Sequence, residues 1–345
     1  MNPLVTIMIP CYNSEKMVSR LLESILSQSY RTLQIIIVND GSTDETENII
    51  KEYEKKFIKN NMVFEYIFQE NRGQAAAIQQ AIKRVEGKYI MWADSDDFYE
   101  ENAVESMVKY MEKFSNISMV RGNAIYREEN TFNILKVAKP LEEPQYKNLF
   151  EEYLLSDNIY IYVGVYMIRF DEYKKVNPEL KIYCGREGQN YQLLLPILFN
   201  NNVGYIDKEI YNFVLRKGSH SRSYRNKEKL YDRYNGLRDT SLETLKVIHG
   251  MTSEELKYYN KMIDDKYDKK ILDVAYEYGD KKVYNEKYNE IIKNNIDVQE
   301  YIVRHEKVYK SKIKYRKVLL NFFIKRSILI VKIKLGKVKR WLLKV

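Results

Sequence analysis

Cysteine is nearly absent from the 345 residues: Cys11 and Cys184 stand far apart, without a Cys-x-x-Cys or any metal-ligand spacing. That excludes a disulfide framework and a zinc site and suits a reducing compartment. Long apolar runs are missing as well. The longest uncharged apolar stretch of the C-terminal tail, 318–324, is interrupted by Asn321 and falls far short of the ~20 residues that span a bilayer. No transmembrane helix is expected. The opening Met-Asn-Pro-Leu-Val-Thr-Ile-Met-Ile-Pro has neither the basic flank nor the roughly 7 to 15 apolar residues of a signal peptide, so a cytoplasmic location is expected. No internal repeat is apparent, which argues against a solenoid.

A net positive charge is lacking over most of the chain, although the whole carries +9. Thirteen of the 57 Lys and Arg residues lie in 308–345, which has no Asp or Glu, leaving 44 basic against 48 acidic residues elsewhere. The body is therefore mildly acidic, and a nucleic-acid partner is not expected, because no basic face is available by count. With 45% apolar residues the chain can pack a core, and its length suits about two domains.

Residues 4–97 alternate short apolar runs with helical periodicity. Strands are expected at 4–10, 33–38, 62–68 and 89–93, and helices at 15–27, 43–57 and 74–85. Strands that recur after helices of this length imply a mostly parallel α/β sheet covered on both faces, with ligands at the carboxyl ends of the strands. From 100 to 220 the pattern is less regular, with strand candidates at 118–126, 159–168, 203–206 and 211–215 and a helix at 187–199. Residues 226–309 are polar and almost free of Gly and Pro, and read as helices. The expected organisation is an α/β domain over 1–223, a helical region over 224–307 and a basic tail over 308–345.

The four strand ends carry Pro10-Cys11-Tyr12-Asn13, Asn39-Asp40-Gly41-Ser42-Thr43-Asp44, Asn71-Arg72-Gly73 and Asp94-Ser95-Asp96-Asp97. Asp40-Gly41 is a turn signal, and Ser42 with Glu45 reads as a capping box for the next helix. Asp40 itself is not needed by such a cap and could accept hydrogen bonds from a base or ribose. Asp94, Asp96 and Asp97 would repel one another unless something positive sits among them. A hard divalent cation such as Mg²⁺ or Mn²⁺, sharing carboxylate and phosphate oxygens, is the economical answer. Asp97 reads as the N-cap of a following helix, which leaves Asp94 and Asp96 for the ligand.

In this order and at this spacing, Pro-x-Tyr-Asn, Asp-Gly-Ser-x-Asp, Asn-x-Gly and Asp-x-Asp-Asp resemble the family 2 nucleotide-sugar glycosyltransferases of the GT-A fold, over roughly residues 3–220. The resemblance implies a donor site in which Pro10, Tyr12 and Asn13 line the nucleotide pocket and Asp40 meets the base. It also implies that Asn71, Gly73 and Ser95 belong to that site, that Asp94 meets the ribose or a metal-bound water, and that Asp96 ligates the metal. Many relatives carry Ala-Arg-Asn where this chain has Ala77-Ile78-Gln79. Members usually invert the anomeric centre, which requires a general base for the acceptor hydroxyl. The family places it at a helix start after the acceptor-side strands, commonly as Glu-Asp; in Gly185-Arg186-Glu187-Gly188-Gln189-Asn190-Tyr191 only Glu187 is available. Glu187 could instead be a first-turn acid facing the helix dipole, but Gly185 and Gly188 flank it as if to make room for a substrate. Lys217 or His220 could neutralise the diphosphate leaving group, or be solvated charges of a loop.

In the tail, Ile324, Ile328, Val331, Leu335, Val338, Leu342 and Val345 form one apolar seam among Lys and Arg, with Trp341 near the end. Such a helix suits an anionic membrane surface; pairing of helices in an oligomer and an alternating strand at 331–338 are the rival readings. The expected function is an inverting, Mn²⁺- or Mg²⁺-dependent glycosyltransferase that uses a nucleotide-diphosphate sugar, a UDP-sugar by preference, on a lipid-linked glycan at the inner membrane face. A nucleotidyltransferase would share the paired aspartates but needs a Gly-rich, basic phosphate loop after the first strand, which Pro10 to Asn13 do not supply. A nucleic-acid-binding protein would explain the basic tail and leave the four strand-end motifs idle.

Overall fold

The computed structural model describes residues 2–139, 149–155, 162–216 and 226–293, within two compact units, Met1–Ile271 and Leu272–Val345. The first unit opens with β1 Val5–Cys11, α1 Val18–Leu26, β2 Leu33–Asp40, α2 Thr46–Lys59, β3 Val63–Gln69, α3 Gln74–Ile82 and β4 Tyr89–Trp92, the expected alternation. It continues with β5 Phe98–Tyr99, α4 Ala103–Lys113, β6 Met119–Glu128, β7 Ile134–Ala138, α5 Phe150–Leu155, β8 Tyr166–Arg169, α6 Phe170–Val176, α7 Gln189–Leu198 and β9 Val203–Leu215. Helices α8 Lys227–Leu245, α9 Ser253–Tyr278 and α10 Lys281–Lys293 follow.

The strands form one sheet in the order β3-β2-β1-β4-β8-β6-β9-β5, with β7 beside β6. Strands β1 to β4 pair in parallel, so their carboxyl ends share one edge. Beyond β4 the sheet is mixed: β8 is antiparallel to β4 and β6, whereas β6 and β9 run parallel. Every residue of β1 and β2 is buried, as in strands covered on both faces. Edge strand β3 is half-exposed. Helix α1 turns Val18, Leu21, Leu22 and Ile25 inward, and the small Ala75, Ala76 and Ala77 let α3 lie against β1 and β2. Pro10 is tolerated inside β1 because β4 ends opposite Met8, so the ladder on that side asks no donor of it.

Three local expectations are corrected. The strands expected at 203–206 and 211–215 are one strand, β9, with register shifts where it passes β6. No helix starts behind Asp97: Phe98–Tyr99 is a strand on β9, and α4 begins at Ala103 with Asn102 as its N-cap. The Ser42/Glu45 capping box does not form either, since Ser42 Oγ accepts the Asn13 N–H from 29 residues away and the Thr46 N–H goes to Asp44. Both cysteines are free, Cys11 buried and Cys184 exposed. In the second unit, the Tyr284 ring stacks on Tyr288 and meets Tyr276. Among the described residues no helix is long and apolar enough to cross a membrane. The tail 308–345, Lys217 and His220 lie outside the described residues.

Candidate active site

The four strand-end loops are tied to one another by hydrogen bonds. After β1, Asn13 adopts φ +45°, a left-handed conformation that asparagine tolerates, and exchanges bonds with the loop after β2. Its N–H reaches Ser42 Oγ and its Oδ1 accepts from Thr43 N, both at 2.9 Å. The Ser14 N–H donates to Thr46 Oγ1 at 2.7 Å, and Ser14 Oγ lies 2.7 Å from Ser95 Oγ after β4. Asp40, only 3% exposed, holds the loop after β3: one oxygen accepts from Gln69 Nε2 at 2.6 Å and Arg72 N at 2.8 Å, the other from Gly73 N at 2.8 Å. Gly41, at φ +73°, must be glycine because a Cβ would stand 2.7 Å from Asn71 N. Gln74, the first residue of α3, completes the ring by donating to Asp94 Oδ1 at 2.6 Å. Pro10 is buried in β1, whereas Tyr12 is 51% exposed.

Asp94, Asp96 and Asp97 each bring a carboxylate oxygen within 4.8 Å of the others. Burial, then Asp96, pushes Asp94 above the usual carboxylate range, and burial with both neighbours does the same to Asp97. A cluster strained in this way, made of hard oxygen donors alone, fits a divalent cation. The Asp97 carboxylate is committed to the backbone, however: it accepts the Val214 N–H of β9 at 2.9 Å. Asp97 thus has a structural task, as expected, but on a strand rather than as a helix cap. Tyr211 of β9 fixes the Asp94 backbone by accepting its N–H at 3.0 Å.

The positive charge near these acids comes from two arginines that the sequence reading did not single out. Arg216 Nη2 lies 2.5 Å from Asp96 Oδ2, and Arg20 donates to the Asp96 carbonyl with its guanidinium 5.5 Å from the Phe98 ring and 5.0 Å from the Phe132 ring. These partners are 120 and 76 residues from Asp96 in the chain, so no local spacing announces them.

Glu187 lies half-buried in the turn before α7, whose N-cap is Gly188 in the left-handed conformation at φ +69°. The flanking glycines serve packing on α8, which corrects the reading that they clear room for a substrate. A Cβ on Gly185 would meet Tyr183 and Thr240, and one on Gly188 would meet Tyr191 and Leu237. Thr240 also donates to the Glu187 carbonyl at 2.7 Å. Residues 180–182, ahead of this segment, are tied to α3, whose first residue reaches the acids: Gln74 bonds Asp94, and Gln79 bonds the Leu180 carbonyl and the Ile182 N–H. Five residues of helix separate the two glutamines, about 7.5 Å of rise. Gln79 thus has a structural task in the place where the resemblance puts an Ala-Arg-Asn.

Residues 6–176 match the family described as Glycosyl transferase family 2. The chain is 27% identical over 236 residues to the glycosyltransferase GlyA of Streptococcus pneumoniae, covering 65% of this chain and 32% of that protein. It therefore spans about a third of the length of this curated relative. Among solved structures, S. aureus TarS (residues 1–349, in complex with UDP-GlcNAc) superposes with a TM-score of 0.54 at 16% identity, over 79% of this chain and 80% of that one. The mannosyltransferase PcManGT of Pyrobaculum calidifontis, in complex with GDP-Man and Mn²⁺, gives 0.52 at 12% identity over 95% and 87%. At such identities the structural likeness speaks for the fold. The ordered strand-end motifs, the matched segment and the shared fold agree: through residues 6–176 this chain belongs to glycosyl transferase family 2, with the GT-A fold.

Proposed function

We propose that the chain is an inverting, metal-dependent glycosyltransferase that moves a sugar from a nucleotide-diphosphate donor, a UDP-sugar, to a hydroxyl of a growing lipid-linked glycan. The observation that carries this reading is the hydrogen-bonded ring of four loops, the loops that carry Tyr12, Asn13, Asp40, Asn71, Gly73, Ser95 and the Asp94/Asp96 pair. In this reading Tyr12 offers its exposed ring to the base, Asp40 frames that end of the pocket, and Asp94 and Asp96 hold the cation. A divalent cation there would balance the charge of the departing diphosphate. Glu187, held against α8 through its carbonyl, takes the proton from the acceptor hydroxyl. The UDP-GlcNAc named with TarS and the Mn²⁺ named with PcManGT support the donor class and the ion. The domain organisation of 1–223, 224–307 and 308–345, and the role of the tail on an anionic inner leaflet, are proposed from the sequence pattern.

The test is a panel of nucleotide-sugars with Mn²⁺, measuring which donor is hydrolysed or raises the melting temperature. One donor should do both, chelator should stop the hydrolysis, and Asp96→Ala should abolish it with the circular dichroism spectrum unchanged. Undiminished turnover in excess chelator would refute metal dependence.

A further inference from the structure

Arg216 and Arg20 both address Asp96, but they are held differently. Arg20 is clamped: one nitrogen donates to the Asp96 carbonyl and the guanidinium lies against two aromatic rings. Among the described residues Arg216 has no aromatic ring holding it and makes a single ion-pair contact, Nη2 to Asp96 Oδ2 at 2.5 Å; its buried Nε–H, like that of Arg20, has no acceptor there. A guanidinium presents a fork suited to two oxygens of one anion, and a buried donor without an acceptor is costly. Half of the fork is thus engaged on Asp96 while the other half awaits an acceptor. Its position is set by the backbone, since the Val214 N–H two residues earlier is pinned to Asp97.

We propose that Arg216 is an exchangeable counter-ion. It neutralises Asp96 while no donor is bound and passes to the diphosphate when cation and donor arrive together. The inference rests on the functional reading above. Charge explains why the two should enter as a pair. Three carboxylates against two guanidiniums leave at most one net negative charge in the cluster, and less where Asp94 or Asp97 keeps its proton. A divalent cation alone would turn that into a net positive charge and would have to displace Arg216 from Asp96. A cation together with the doubly charged diphosphate of a nucleotide-sugar restores the original balance and gives the released guanidinium a bidentate partner. The cation should therefore bind weakly by itself and much more tightly with the diphosphate, and Arg216 should be the residue that separates the two cases.

The test measures Mn²⁺ binding to the full chain by electron paramagnetic resonance, without any donor, in the wild type, Arg216→Met, Asp96→Asn and the double variant. Arg216→Met should bind Mn²⁺ alone on the order of tenfold more tightly than the wild type, equivalent to about 1.4 kcal/mol of removed competition. The double variant should bind as weakly as Asp96→Asn. Added UDP or GDP, corrected for Mn²⁺ complexed by the nucleotide in solution, should raise the affinity of the wild type more than that of Arg216→Met. Should Arg216→Met lose the native near-ultraviolet spectrum, Arg216→Gln, which removes the charge and keeps a polar side chain, should bind Mn²⁺ alone with an affinity above the wild type. A folded variant at Arg216 that binds Mn²⁺ alone no more tightly than the wild type overturns the exchange. If Asp96→Asn bound Mn²⁺ as the wild type does, the metal site itself would be wrong, and the inference with it.

Discussion

Asp40 gives the sharpest test of how the site is held together. Its buried carboxylate accepts the N–H groups of Arg72 and Gly73 and the amide of Gln69. Asp40→Asn keeps one acceptor and turns the other oxygen into a donor, which would face an N–H that now has nowhere to go. Hydrogen bonds to charged groups contribute about 1.5–3 kcal/mol, and an orphaned buried donor costs about 1–3 kcal/mol. Arg72 is exposed and Gly73 only half-buried, so water can partly repair the loop. The expected loss is about 2 kcal/mol for Asp40→Asn and about 2–4 kcal/mol for Asp40→Ala. Gly73 supplies an internal control. It sits at φ +90°, ψ 160°, a region open almost only to glycine, where strain for another residue is about 1–3 kcal/mol. A Cβ there would touch nothing within 4 Å, so Gly73→Ala measures backbone strain alone. If Asp40 enforces that conformation, the double variant should lose less than the sum of the singles, since neighbouring groups couple. Urea unfolding followed by the fluorescence of Trp92, buried in β4, reports the free energies. Stability of Asp40→Asn within about 0.5 kcal/mol of the wild type, or strict additivity with Gly73→Ala, would show that the carboxylate does not hold the loop.

The other predictions can be stated briefly. Glu187→Gln should leave donor binding intact and slow transfer by about 10²- to 10⁴-fold, the usual range for a lost general base; steady-state kinetics with the selected donor would show it, and a near-normal rate would move the base elsewhere. Lys88 and then Tyr89 donate to Glu112 and hold its carboxyl below the usual range. A depressed folded value means that the stabilisation is present above the unfolded pKa, near 4.3, and is lost as pH falls through the folded value. Glu112→Gln should accordingly flatten the acid limb of a plot of melting temperature against pH, and an unchanged limb would count against the pairing. Deleting 308–345 should release the protein from anionic vesicles in a flotation assay while sparing metal-dependent donor hydrolysis, because basic residues near such a surface contribute about 1 kcal/mol each; a truncated protein that still floats, or one that merely changes from oligomer to monomer, would favour the rival readings of the seam.

What could be read from the sequence was whatever depends on neighbours a few residues away. The alternation of β1 to α3 and the gathering of the four motifs at the carboxyl ends of parallel strands follow from periodicity within each segment, and both are present in the structure. The errors arose where a distant side chain competed for the same atom. Ser42 did not cap α2 because Asn13 reached it first. Asp97 did not cap a helix because β9 brought the Val214 N–H to its carboxylate from 117 positions away. Gly185 and Gly188 made room for α8, a helix that the sequence placed in a separate region.

The same cause accounts for the arginines, and it changes how the acid cluster is understood. Reading three acids in four residues as a demand for positive charge is sound, because burial and then the neighbouring carboxylates push Asp94 and Asp97 above the usual range. The step from positive charge to a metal alone was too short. Chain topology delivers Arg216 to Asp96 at the end of β9, and the contact that aims it there is Val214 on Asp97. The third acid, set aside at first as a structural cap, is thus the one that couples the last strand of the sheet to the first acids of the site. Any ligand of Asp96 must contend with a guanidinium positioned by the fold itself, and in the proposed exchange the cation demand of this cluster is conditional on what else enters with it.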